Sequence, residues 1–268
     1  MISDTERSGA FRDGQRFHER DLKVSRQILG EEHPDTLTAM SNLAATLRRQ
    51  GRWDEAQALD EQVVTARRQA LGEEDPDTLA ATANLASTLR QQGEWAAART
   101  LYEQVVEGSR RALGEEHPET LLAMGNLAVT LMEQGECAEA KALSLQAVEV
   151  QQRILGADHP NTLIAMANLA STYWNQGEWG QARSLFEQVL GIQRRVLGEE
   201  HPDTLTSMNN LAHTLWKQGE WSEARDCFEQ VVEALRRVVG PEHPHTQIVE
   251  RNFAAVLETI EATRPSGD

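Results

Sequence analysis

Two rhythms of apolar residues run along this chain, one nested in the other. The short rhythm is helical: Leu37, Met40, Leu43, Ala44 and Leu47 are three or four apart, the spacing that lines one face of an α-helix. A second set, Ala56, Leu59, Val63 and Ala70, keeps a similar spacing after a glycine turn. The long rhythm is 42 residues. The stretch Leu29-Gly30-Glu31-Glu32-His33-Pro34-Asp35-Thr36-Leu37 returns with its glycine at Gly72, Gly114, Gly156, Gly198 and Gly240 and its proline at Pro76, Pro118, Pro160, Pro202 and Pro244. Glycine after an apolar run terminates a helix and proline opens the next one. The spacing therefore predicts an opening helix from about Pro34 to Gln50, a turn at Gln50-Gly51-Arg52-Trp53, and a closing helix, repeated along the chain.

The register fixes the expected boundaries. Residues 1–8 are expected to be disordered or vector-derived, and residues 9–29 to form the closing helix of a half repeat. Five full repeats follow over 30–239, then a last opening helix over 240–262 and a polar tail over 263–268. The small residue at Ala56 recurs as Ala98, Ala140, Ala182 and Ala224, where two helix backbones should approach closely. The expected fold class is all-α, an α-solenoid of stacked antiparallel helix pairs forming one elongated array over residues 9–262.

Composition changes this picture little. Ala, Leu, Gln, Glu and Arg dominate, a helix-forming mixture. The formal net charge of -16 argues against nucleic acid or an anionic membrane as partner. Much of that charge is the acidic pair of each marker, expected to be a solvated loop edge. Cys137 and Cys227 occupy non-equivalent repeat positions, which argues against a disulfide and for a reducing, cytoplasmic location.

Candidate chemistry is sparse. His33, His117, His159, His201 and His243 each belong to a different repeat, too far apart to share a metal ion, and each precedes a helix-starting proline. Asp75 in the same slot of the second repeat points to capping, since Asp is a good N-cap. No phosphate-cradling loop, zinc-helix motif or nucleophile elbow is present, so neither an enzyme nor a cofactor is expected.

Asn-Leu-Ala, then Gln-Gly-x-Trp and x-x-Ala, resemble the tetratricopeptide repeat, and the 42-residue spacing with Leu-Gly-x-x-His-Pro-x-Thr resembles the long variety of kinesin light chains and of the repeat tails of signalling ATPases. The resemblance covers about residues 9–262. It implies a right-handed superhelix whose opening helices line a concave groove that recognises peptides or protein segments. The chain departs from the pattern at Cys137, in a tryptophan position, and at Asp60 and Ser144, where Tyr102, Phe186 and Phe228 stand in other repeats.

On the face of the opening helix opposite Leu37, Met40, Leu43 and Leu47 lie Thr38, Ser41, Asn42, Ala45, Arg48 and Arg49. Asn42 recurs as Asn84, Asn126, Asn168, Asn210 and Asn252. Helix interiors have no local use for asparagine, and the resemblance implies that this ladder holds the backbone of an extended ligand. The position of Arg48 reads Arg90, Met132, Trp174 and Trp216 in the following repeats, so this face runs from basic to apolar and aromatic. Leu122, Val129 and Ile164 add to an expected apolar patch. The expected partner is a protein or peptide whose apolar or aromatic anchor lies over Met132, Trp174 and Trp216, with acidic residues toward Arg48, Arg49 and Arg90. Two other readings remain open, self-assembly through the chain ends and a sensor tail of a larger ATPase.

Overall fold

In the computed structural model the described residues are 4–263, with side chains from Gly14 onward. Among them are twelve helices and no strand: α1 (Asp4–Leu29), α2 (Pro34–Arg49), α3 (Trp53–Leu71), α4 (Pro76–Gln92), α5 (Trp95–Leu113), α6 (Pro118–Glu133), α7 (Cys137–Leu155), α8 (Pro160–Asn175), α9 (Trp179–Val196), α10 (Pro202–Gln218), α11 (Trp221–Val238) and α12 (Pro244–Thr263). Even-numbered helices are the opening members of the repeats and odd-numbered ones the closing members. Contacts divide the chain between Leu143 and Ser144 into two units.

The marker is explained by its hydrogen bonds. The Nδ1 atoms of His33, His117, His159, His201 and His243 accept from the backbone N–H two residues on, at 3.1 to 3.3 Å, and Asp75 does the same with its carboxylate at 2.9 Å. Each cap satisfies one of the orphan donors at the first turn of an opening helix, and proline follows at N1. The marker threonine turns inward. Thr120 and Thr246 donate to the carbonyls of Gly114 and Gly240 at 2.8 Å, tying these two helix starts to the turns before them, whereas the equivalent hydroxyls of Thr36, Thr78, Thr162 and Thr204 are buried without a partner among the described residues. That turn needs glycine, because φ at Gly114 is +98°.

In the unit ending at Leu143, Leu37, Met40, Leu43, Ala44 and Leu47 of α2 pack with Ala56, Val63 and Val64 of α3 and with Leu22 of α1. In the unit starting at Ser144, Phe186 and Phe228 anchor a core that includes Met208, Leu211, Leu215, Leu235, Val249 and Val256. Opening helices bury a wider face than the expected apolar stripe, since Thr36, Ala39 and Thr46 are also buried in α2. A helix flanked by two closing helices and a neighbouring opening helix loses solvent on more than one side. The hydroxyls of Thr46, Thr130, Thr172 and Thr214 are accommodated there by donating to the carbonyl of the repeating asparagine one turn earlier, at 2.8 to 3.1 Å.

Three sequence expectations change. Residues 4–8 belong to α1; residues 1–3 and 264–268 lie outside the described residues. Ala70 is exposed, and Val64 takes the buried place on α3. The acidic marker pairs are not merely solvated, because Glu74, Asp158 and Glu200 pair with Arg111, Arg195 and Arg237 of the following closing helices.

Candidate binding pockets between opening helices

The side chains of the outward ladder fall into two local environments, one in each unit. Between α4 and α6 lies a pocket of about 320 Å³, with Ala83, Asn84 and Ser87 on one wall, Leu122 and Asn126 on the other, and Tyr102 of α5 at its base. Between α8 and α10 lies a second, of about 270 Å³, with Ser171 and Trp174 on one wall, Asn210 and His213 on the other, and Phe186 of α9 at its base. Ser87 and Ser171, Tyr102 and Phe186, and Asn126 and Asn210 are equivalent positions two repeats apart, so both pockets are versions of one site.

Their electrostatics differ. Burial pushes the Tyr102 hydroxyl up, against the downward pull of neighbouring Arg90 and of its hydrogen bonds to Ser87 and Arg90. In the second pocket burial pushes His213 down and Lys217 adds to the effect, so the ring stays neutral. His213 stands edge-on to Phe228 with ring centroids 5.0 Å apart, and its Nε2 lies 3.1 Å from the Asn252 amide nitrogen. With Nε2 accepting from that amide, the neutral ring carries its proton on Nδ1 as a donor. The Lys217 ammonium sits 6.0 Å from the centre of the Trp174 ring.

The asparagines do not behave alike. Among the described residues, the side-chain amides of Asn42, Asn126, Asn168 and Asn210 make no hydrogen bond. Asn252 bonds His213 on the neighbouring opening helix, and the Asn84 carbonyl oxygens, side-chain and backbone, accept from Arg48 at 3.5 and 3.3 Å. Of the apolar ladder, Leu122 and Ile164 are exposed at 63% and 59%, whereas Met132, Trp174 and Trp216 are half-buried. Trp174 and Trp216 pack on the core below them, and the Trp174 Nε1 atom is buried without a partner.

The arginines depart most from the sequence reading. Arg49 is exposed, its guanidinium over Ala45 and Thr46. Arg48 turns inward to the Asp60 carboxylate at 2.8 Å and to the Thr88 hydroxyl at 3.1 Å, with only 12% of its side chain exposed. The Thr88 hydroxyl also lies 2.6 Å from that carboxylate, which is itself 2% exposed. Arg90 pairs with Glu133 at 2.9 Å. The pairing of Arg48 with Asp60 is not visible at either position alone, because the two side chains stand on different helices. Twelve residues apart, the same two positions hold Arg90 and Tyr102, Trp174 and Phe186, and Trp216 and Phe228 in three other repeats, and Met132 and Ser144 in the third repeat.

The regular helix pairing, the capped marker and the two equivalent pockets meet in the comparison with known families. The model of the tetratricopeptide repeat matches residues 4–69, 39–110, 77–141, 120–195, 166–237 and 209–264.

The chain belongs to the tetratricopeptide repeat family.

Its type is kinesin light chain-like. A crystal structure from Podosopora anserina, described as a kinesin light chain with nearly identical TPR-like repeats, is 34% identical, covers 77% of this chain and 98% of its own, and superposes with a TM-score of 0.66. A variant of that protein is 35% identical over 76% of this chain and 97% of its own, with a TM-score of 0.68. BtubC (BKLC) from P. vanneervenii, 21% identical over 88% of this chain and 94% of its own, shares the fold with a TM-score of 0.71. A comparison with curated protein sequences gives no match. TPR proteins are protein-interaction scaffolds that bind protein or peptide partners, and the fold is typically not catalytic. Among the described residues no helix is long and apolar enough to cross a membrane, and no group of three or more His, Cys, Asp or Glu is placed to hold a metal ion.

Proposed function

We propose that this TPR protein binds a peptide or protein segment along its opening helices, with one anchoring side chain of the ligand entering the pocket between α8 and α10. The observation that carries this reading is the recurrence of one site, an amide facing an aromatic base, between two different pairs of opening helices. Asn42, Asn126, Asn168 and Asn210 keep amide groups available for a ligand backbone, with Asn84 and Asn252 reinforcing the same row. Trp174 and Trp216 supply apolar surface in one unit and Met132 in the other, and half-buried tryptophans are residues that concentrate binding energy. Acidic residues of the ligand meet Arg49, and Lys217 beside Trp174 offers a second cation. Arg48 and Arg90 contribute indirectly, since their charges are already held by Asp60 and Glu133. Cys137 and Cys227 are not joined in a disulfide, which fits a reducing, cytoplasmic setting.

The test is affinity capture from a lysate of the source organism with the wild type, Trp174→Ala and the double variant Asn126→Ala/Asn210→Ala, followed by calorimetry with a peptide from the captured protein. Trp174→Ala should lower the affinity by about 2 kcal/mol or more. Unchanged affinity in both variants, with folding verified by circular dichroism, would move the site off the opening helices.

A further inference from the structure

On the closing-helix side of the unit ending at Leu143, two clefts recur one repeat apart, formed by different residues from the pocket between α4 and α6. The first, of about 680 Å³, runs from Arg26 of α1 across the acidic loop Glu31-Glu32 to α3, with Leu37 and Met40 of α2 as its floor. The second, of about 350 Å³, is the same construction around Arg68, Glu73, Glu74, Leu79 and α5. In the second, every lining carboxylate has an arginine. Arg111 reaches Glu74 at 3.1 Å and Glu107 at 3.8 Å, Arg68 lies 3.6 Å from Glu73, and Arg99 pairs with Glu103 at 2.7 Å.

The first cleft has lost those cations by substitution. Gln69 stands in the place of Arg111, Gln57 in that of Arg99 and Thr65 in that of Glu107. Glu31 keeps Arg26 at 2.9 Å. Glu32 has no partner among the described residues, and the Glu61 carboxylate accepts only from the Gln57 amide at 2.8 Å. The missing guanidinium leaves a cleft of nearly twice the volume, with unneutralised carboxylates at its mouth, the small Ala58 and Ala66 in its wall and an apolar floor. The second cleft displays the side chain that such a site takes.

We propose that the first cleft is an interaction surface for an arginine side chain of a basic segment on a partner protein, which supplies from outside the cation that Arg111 supplies from within. The apolar stem lies over Ala58, Ala66 and Met40, and the guanidinium reaches Glu32 and Glu61, a division that long cationic side chains favour. The contact stands on charge complementarity at an exposed site, so it weakens with salt.

The test uses the whole chain and a blocked Arg-Ala-Ala-Arg peptide, followed through the methyl resonance of Met40. Wild type should show a saturable shift that disappears in 0.5 M salt, where the Debye length falls to about 4 Å. Glu32→Gln should weaken it about fivefold, the factor expected for loss of one exposed ion pair. Gln69→Arg, which recreates the second cleft's arrangement, should abolish it while leaving the fold intact. No saturable shift at Met40, or an affinity in Gln69→Arg equal to that of wild type, would overturn the proposal. So would an equal Met40 response to magnesium ions alone, which would mark a simple counter-ion site.

Discussion

His117 shows how much one side chain of the marker contributes. Its Nδ1 accepts the Glu119 backbone N–H at 3.3 Å, the role that the Asp75 carboxylate fills for Asp77. His117→Ala should therefore cost about 1 kcal/mol in urea denaturation, while His117→Asp should retain most of the stability, because either side chain satisfies the same orphan donor. His213 gives a residue-scale prediction of the opposite kind. Burial and Lys217 keep its ring neutral in the folded state, whereas the unfolded chain takes up a proton as pH falls through about 6.5. Its contribution to stability is full above that pH and is lost progressively as pH drops toward its lower folded-state value. Denaturation midpoints measured from pH 7.5 to 5 should fall less steeply in His213→Gln than in wild type. Parallel curves would mean that the ring titrates alike in both states.

At the scale of the element, the instructive comparison is between the junction of α2 with α3 and that of α8 with α9. One buries an arginine–aspartate pair, Arg48 with Asp60, and the other has Trp174 and Phe186 lining one pocket. Burial pushes the Asp60 carboxyl up, and the hydrogen bond from Thr88 and the charge and hydrogen bond of Arg48 oppose that shift. Arg48→Ala should thus cost about 3 to 5 kcal/mol, because it leaves a buried carboxylate without its cation. Arg48→Trp combined with Asp60→Phe copies the aromatic solution found in the same fold and should be neutral or stabilising. Thermal melts of wild type, single and double variants decide it. A double variant as unstable as Arg48→Ala would show that the aromatic pair depends on features of its own repeat.

At the scale of the whole molecule, each helix of a repeat array leans mainly on its neighbours, so damage should stay local. Leu127 of α6 is buried, and Leu127→Ala should cost about 2 to 5 kcal/mol. Ala254 of α12 is exposed, and Ala254→Gly should cost about 1 kcal/mol through backbone freedom alone. Hydrogen exchange in Leu127→Ala should accelerate in α5 and α6 more than in α11 and α12. A uniform acceleration would mean a single cooperative unit in place of a stack of local ones. The net charge of -16 acts at this scale too, since it favours solubility and disfavours polyanionic partners without selecting any cationic one.

Most of the helix pairing was legible in the residues themselves. Gly30 and Pro34 stop one helix and start the next through backbone conformations that they adopt in any context, and Leu37, Met40 and Leu43 read as a buried face because helical periodicity is local. The capping role of His117 was equally readable, with Asp75 in the same slot as the clue. What stayed hidden depends on which side chains meet across repeats. Arg48 looks like a groove residue on a helical wheel, yet Asp60 on the next helix and Thr88 on the next repeat draw it inward. Glu74 looks like a solvated loop acid until Arg111 arrives from the neighbouring closing helix, and Glu32 looks identical to it although Gln69 leaves it unpaired. Sequence determined the elements because their signals lie within a few residues of one another. Tertiary structure decided which charges are spent inside the stack and which remain for a partner, because that depends on side chains brought together from different helices.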